Sequence, residues 1–189
     1  PLVANDKVYN CAAVVSQGML IGVVPKTYLS IAERKYFDSG ANNHAEEIEI
    51  AGFSAPFGTD LTFAIDGVQF CVEIGQDAEA PIPPSTYQAL QGAKIIFNLS
   101  AAAELTGKGE KREEMVRSYV SASAGFGEST TDMAFAGGSI IAENGEVLCA
   151  AERFSLTEQL IVADVDVELI ENRRRQMALF TSNSELPYY

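Results

Sequence analysis

The hydrophobic pattern along the chain is one of short β segments interrupted by turns. Residues 8–15, a turn at Gln17-Gly18 and residues 19–24 predict a β-hairpin. Residues 61–65, Asp66-Gly67 and residues 68–74 predict a second, because Asp-Gly suits the positive-φ positions of a tight two-residue turn. Residues 139–142, the turn Glu143-Asn144-Gly145-Glu146 and residues 147–150 predict a third. The run at 94–99 (KIIFNL) reads as a buried strand and residues 160–165 as a further one. Helical spacing is sparser. Residues 30–37 are expected to begin a helix, and Ser85 to cap a helix over 86–92 behind the stiff Pro81-Ile82-Pro83-Pro84 connection. Residues 108–118 are charged with helical spacing, and 167–175 have an acidic start and a basic end that match the helix dipole. Residues 38–47 read as a polar surface loop, and 181–189 carry no clear element. Strands and helices arranged around repeated hairpins predict one α/β domain with a mixed sheet, not a regular βαβ winding.

Composition narrows the function classes. The 189 residues are enough for one domain with a substantial core, and 47% hydrophobic with 21% charged residues is ordinary for a globular protein. Lys plus Arg number 13 against 26 Asp plus Glu, a formal charge of −13. A chain this acidic repels phosphate backbones, and its compact basic cluster, Arg173-Arg174-Arg175, reads as a solvated helix end. Nucleic-acid binding is therefore not expected. No apolar run approaches the roughly 20 residues of a membrane helix, so no membrane partner is expected either. The opening Pro1-Leu2-Val3 lacks the charged start of a signal peptide and reads as a fragment or processed chain. Cys11, Cys71 and Cys149 are odd in number and scattered, which argues against a disulfide framework and points to the reducing cytoplasm. One histidine, His44, and no Cys-x-x-Cys argue against a metal site.

Two places have the residue density of a site. In Val24-Pro25-Lys26-Thr27-Tyr28-Leu29 a lysine stands where a strand ends behind a stiffening proline. In Phe70-Cys71-Val72-Glu73-Ile74-Gly75-Gln76-Asp77 a strand runs into a tight turn, a place where nucleophiles are often exposed. From the residues alone the bland reading is favoured: a solvated strand-end lysine and a plain turn glycine.

Several segments, however, resemble the glutaminase domains of glutamine-dependent NAD synthetases, members of the nitrilase (carbon-nitrogen hydrolase) superfamily. They are Asn10-Cys11-Ala12-Ala13-Val14-Val15, Gly22-Val23-Val24-Pro25-Lys26-Thr27-Tyr28-Leu29, Pro81-Ile82-Pro83-Pro84-Ser85 and Ile95-Ile96-Phe97-Asn98-Leu99-Ser100. The run Ser123-Ala124-Gly125-Phe126-Gly127-Glu128-Ser129-Thr130-Thr131-Asp132 carries the most specific match, and Glu143-Asn144-Gly145 and Ala151-Glu152-Arg153-Phe154 continue it in order. The resemblance implies an α/β, nitrilase-like α-β-β-α sandwich with its N-terminal part missing: a carbon-nitrogen hydrolase domain over residues 1–175 and a tail or linker over 176–189. It also implies a Glu-Lys-Cys triad, in which Cys attacks the glutamine amide, Glu acts as general base and acid, and Lys stabilises the oxyanion. The ammonia released would amidate deamido-NAD in a separate synthetase domain. No cofactor is implied for this domain, since ATP and deamido-NAD would bind the absent synthetase domain. Glutamine as substrate, the synthetase domain as partner and a homo-oligomer are expected.

Carried over by motif, the lysine is Lys26, and the supporting second glutamate falls at Glu33, which reads equally as an exposed helix residue. Where the family reads Val-Glu-Ile-Cys-Glu-Asp, this chain reads Val72-Glu73-Ile74-Gly75-Gln76-Asp77, so Gly75 stands at the nucleophile position. The aromatic residue expected soon after falls at Glu79, a substrate-holding serine at Ala102, and the triad glutamate in an N-terminal segment this chain lacks. Cys71 is four residues away, roughly 13 Å along an extended strand, and reads as a small core residue. Three readings follow: a glutaminase domain of NAD synthetase with its nucleophile position vacated, a catalytically inactive nitrilase-like scaffold for assembly or binding, and a standalone amidase.

Overall fold

A computed structural model describes residues 1–103, 119–128 and 133–177. The expected helix over 108–118 and the tail over 181–189 lie outside those residues.

The first strands are β1 (Leu2–Ala4), β2 (Lys7–Tyr9), β3 (Cys11–Ser16) and β4 (Met19–Pro25). Asn10 separates β2 from β3, where one continuous strand over 8–15 was expected. β1 and β2 form a small hairpin around Asn5 and Asp6, whose φ values of 50° and 61° show why two short polar residues turn the chain there. β3 and β4 pair antiparallel around Gln17-Gly18, the hairpin read from sequence. The segment expected to begin a helix at 30–37 holds only a 3-10 turn, Glu33–Lys35. Within the expected surface loop a second 3-10 turn, Gly40–Asn42, precedes an unforeseen hairpin of β5 (Glu47–Ile50) and β6 (Phe53–Pro56).

The central sheet has six strands. β7 (Thr62–Ile65) and β8 (Val68–Ile74) form the Asp66-Gly67 hairpin, with φ of 49° and 80° at its two turn residues. A crossover through α1 (Pro84–Leu90) then brings β9 (Ile95–Ser100) parallel to β8, and β10 (Tyr119–Ser123) lies parallel to β9. β11 (Ile140–Glu143) and β12 (Glu146–Ala150) complete the order β12-β11-β10-β9-β8-β7. The sheet is therefore mixed, with parallel strands at its centre and antiparallel hairpins at both edges.

Ser85 does not cap α1. Pro83 is the cap and Pro84 fills the first helical position, where its missing N–H costs nothing, so Ser85 is the second residue of the helix and is buried. Among the described residues the next helix is α2 (Val167–Gln176), which begins at Asp166, whose carboxylate accepts the Leu169 N–H. Residues 160–165 belong to no strand: nothing pairs with them among the described residues, and Leu160 is 90% exposed.

Alternation along the strands sorts the two faces of the sheet. Phe70, Val72 and Ile74 of β8, with Phe63 and Phe97, pack against Ala12, Val14, Ile21 and Val24 of the β3–β4 hairpin. Cys71, Glu73, Ile96 and Asn98 point the other way, toward α1 and α2. α2 is fixed on that face by buried Ile170, a Lys94–Glu171 ion pair and an Arg174 bond to the Ala89 carbonyl. Glu143 also accepts the Asp166 N–H at 2.8 Å, tying the start of α2 to the sheet. The layers run hairpin, sheet, helices: β-β-α.

Candidate active site

β4 and β8 both end at the same edge of this two-layer core, and their last residues carry the site. Pro25 and Ile74 are the final strand residues, so Lys26 and Gly75 each open a connection just past a buried strand end. Gly75 has φ +54°, a left-handed conformation that an L side chain adopts at a cost, and it starts the 3-10 turn Gly75–Glu79. A Cβ built on Gly75 would lie 3.6 Å from Lys26 Nζ.

Lys26 is only 5% exposed, so the expectation of a solvated strand-end lysine fails. A buried ammonium needs a partner, and Glu33 provides it with both oxygens, at 2.7 and 2.8 Å. Glu33 also accepts from the Ser30 N–H at 2.9 Å and the Asn10 side-chain amide at 3.3 Å, so it is no exposed helix residue. Burial pushes the Glu33 carboxyl up, but Lys26 and Ser30 outweigh it and hold the group below the usual glutamate range. The short chain between Lys26 and Glu33 thus folds back to close an ion pair.

Two carboxyls and an amide lie behind Gly75. Asp77 is 2% exposed and accepts three backbone N–H groups: Tyr28 at 2.6 Å, Thr27 at 3.2 Å and Ile74 at 3.3 Å. Burial raises its pKa despite those bonds and the nearby Lys26. Asn98 donates to the Gly75 carbonyl at 3.0 Å and so fixes the turn from the β9 side. Glu73 is 1% exposed, and its Oε2 has no partner among the described residues. Burial raises its pKa, Asp77 adds to the rise, and hydrogen bonding from Ser85 and Asn98 offsets only part of it. The reading from sequence overlooked Asn98, although a polar residue inside the apolar run KIIFNL was its signal.

The other positions singled out from the sequence are Glu79, Ala102 and Cys71. Glu79 ends the 3-10 turn and is exposed, while Ala102 follows β9 and is half-buried. Cys71 is fully buried on the helical face, and burial, with Glu73 nearby, pushes its thiol up to about 12. It offers no thiolate at neutral pH. A groove of about 430 Å³ is lined by Ser121, Ser123, Ser139 and Leu156 among others, but by neither Lys26 nor Gly75.

The sequence matches the carbon-nitrogen hydrolase family profile over residues 2–175. The chain belongs to the carbon-nitrogen hydrolase family. It is 40% identical to the glutamine-dependent NAD(+) synthetase of Mycobacterium leprae over 97% of its own length and 29% of that protein. It is 29% identical to the enzyme of that name from Thermotoga maritima, over 92% of this chain and 30% of the other. The chain thus spans less than a third of these curated relatives. Among solved structures, a glutamine-dependent NAD(+) synthetase from Cytophaga hutchinsonii superposes with a TM-score of 0.70 at 24% identity, over 83% of this chain and 27% of that one. A carbon-nitrogen hydrolase from Helicobacter pylori G27 gives 0.64 at 19% identity, over 93% and 63%. The layers described above are therefore those of a nitrilase-like carbon-nitrogen hydrolase fold, and Lys26 and the turn at Gly75 meet at the ends of its β4 and β8 strands.

Proposed function

We propose that this carbon-nitrogen hydrolase chain is the glutaminase part of an NAD synthetase, with glycine standing at its nucleophile position. The observation that carries the reading is the 3.6 Å between Lys26 Nζ and the point where a side chain at position 75 would begin. A thiolate there would attack the glutamine side-chain carbonyl carbon, forming a thioester and expelling ammonia once the leaving nitrogen takes a proton. Water would then attack the thioester, releasing glutamate and the thiol. Lys26 is placed to stabilise the oxyanion formed in both steps, and Glu33 holds its ammonium in place. The released ammonia would serve amidation of deamido-NAD by a synthetase partner, in a cytoplasmic homo-oligomer. We read Lys26, Gly75 and Glu33 as the site positions of this chain.

Gly75 cannot form a thioester, so the unmodified chain should release no measurable ammonia from glutamine. Gly75→Cys alone should give at most a weak gain, because triad members act as a unit. The same substitution joined to a preceding segment that carries the family's glutamate should give clear turnover. Ammonia release by the unmodified chain, abolished by Lys26→Ala, would overturn the reading and point to another nucleophile. Gly75 itself favours a second reading, a catalytically inactive scaffold. Absence of turnover in every restored variant would support that one.

A further inference from the structure

Asp77 makes more connections than a turn residue needs. A residue that merely ended β8 would require the Ile74 N–H alone, at 3.3 Å. Two of its three bonds instead cross to the other strand end, to Thr27 at 3.2 Å and Tyr28 at 2.6 Å, directly after Lys26. The crossing bond to Tyr28 is the shortest of the three. Upstream, the Lys26 backbone is held by its N–H to the Asn10 carbonyl and by its carbonyl from the Gly40 N–H, both at 2.8 Å. Neither of those bonds reaches β8. Among the described residues, the hydrogen bonds that tie the backbone just after Lys26 to the turn at Gly75 therefore run through this one buried carboxylate, beside the packing of Val24 on Val72 and Ile74.

We infer that Asp77 is the positioning residue that holds Lys26 opposite position 75 and so sets the electrostatics of whatever side chain stands there. The inference rests on the reading that Lys26 and position 75 form one site. An amide cannot substitute for this carboxylate: one of its two corners donates, and that corner would face N–H groups that also donate.

The experiment uses Gly75→Cys as a reporter, with no need for turnover. Iodoacetamide alkylation is followed against pH at the peptide bearing the introduced thiol, so Cys11, Cys71 and Cys149 do not contribute. Beside the Lys26 ammonium the thiol should titrate about one to three units below the ordinary value of about 8.5. Adding Lys26→Met should remove most of that depression. Adding Asp77→Asn should also raise the thiol pKa, by at least about one unit. The sign is diagnostic. Deleting a nearby negative charge with the lysine still in place would lower the thiol pKa further, whereas loss of positioning raises it.

If Lys26→Met restores an ordinary pKa and Asp77→Asn does not, the role of Asp77 is overturned and the site reading stands. An ordinary pKa in Gly75→Cys alone would overturn the site reading, and the inference with it. Should Asp77→Asn fail to fold, amide exchange in the unmodified chain decides. The Thr27 and Tyr28 amides should be strongly protected, and exchange at the free-peptide rate would overturn the inference.

Discussion

Gly75 and Lys26 show how much a single residue's surroundings alter its reading. In the sequence each has an ordinary role available: glycine for a tight turn, lysine for a strand end. What changes the lysine is burial, since an ammonium that is 5% exposed must find a counter-charge, and it finds Glu33. Half-buried Glu33 and buried Glu73 then predict opposite pH responses. Glu33 is held below the usual range, so its contribution is present above the unfolded glutamate value of about 4.3 and is lost as pH falls through its folded pKa. Glu73 is pushed up, so its contribution is full below about 4.3 and is lost as pH rises through its folded pKa. In urea melts Glu33→Gln should therefore be less stable than the native chain at neutral pH, with the gap closing in acid. Glu73→Gln should be more stable than the native chain at neutral pH, with that gap also closing in acid. A loss of stability at neutral pH for Glu73→Gln would show that this carboxylate is stabilised as an anion.

At the scale of elements, local chemistry was legible where the turn residues are strong. The Gln17-Gly18, Asp66-Gly67 and Asn144-Gly145 hairpins form as read, because each pair accepts positive φ. The Asn5-Asp6 hairpin was missed although its residues suit a turn, because its strands are only three residues long, and the Ala51-Gly52 hairpin because Ala51 gives no turn signal yet adopts φ 52°. The strand expected over 160–165 failed for a different reason: an apolar run supplies one half of a ladder, and pairing needs a second strand beside it. Leu160 and Ile170 therefore separate cleanly in a stability test. Ile170→Ala, at 2% exposure on the buried face of α2, should cost about 2–5 kcal/mol. Leu160→Ala, at 90% exposure, should stay within about 0.5 kcal/mol. A large loss at Leu160 in this chain would reveal a partner covering that segment.

Over the whole molecule, charge matters more than any one pair. With 26 acidic against 13 basic residues the compact state repels itself, and salt screens that repulsion. The melting temperature should rise between about 0.02 M and about 0.5 M sodium chloride, where the Debye length shrinks to a few ångströms. A fall would mean that attractive pairs such as Lys26–Glu33 outweigh the repulsion. The sequence by itself determined the mixed α/β class, the main hairpins, a strand within a residue of 94–99 and the family, because alternation, turn chemistry and motif order are local properties of the chain. It also placed Lys26 and Gly75 at strand ends. Only the tertiary structure decided that those ends meet, that Glu33 closes on Lys26, and that Asp77 and Asn98 secure the turn. Such contacts join residues far apart in the chain, and the cost of burying their charges exists only once the layers have packed.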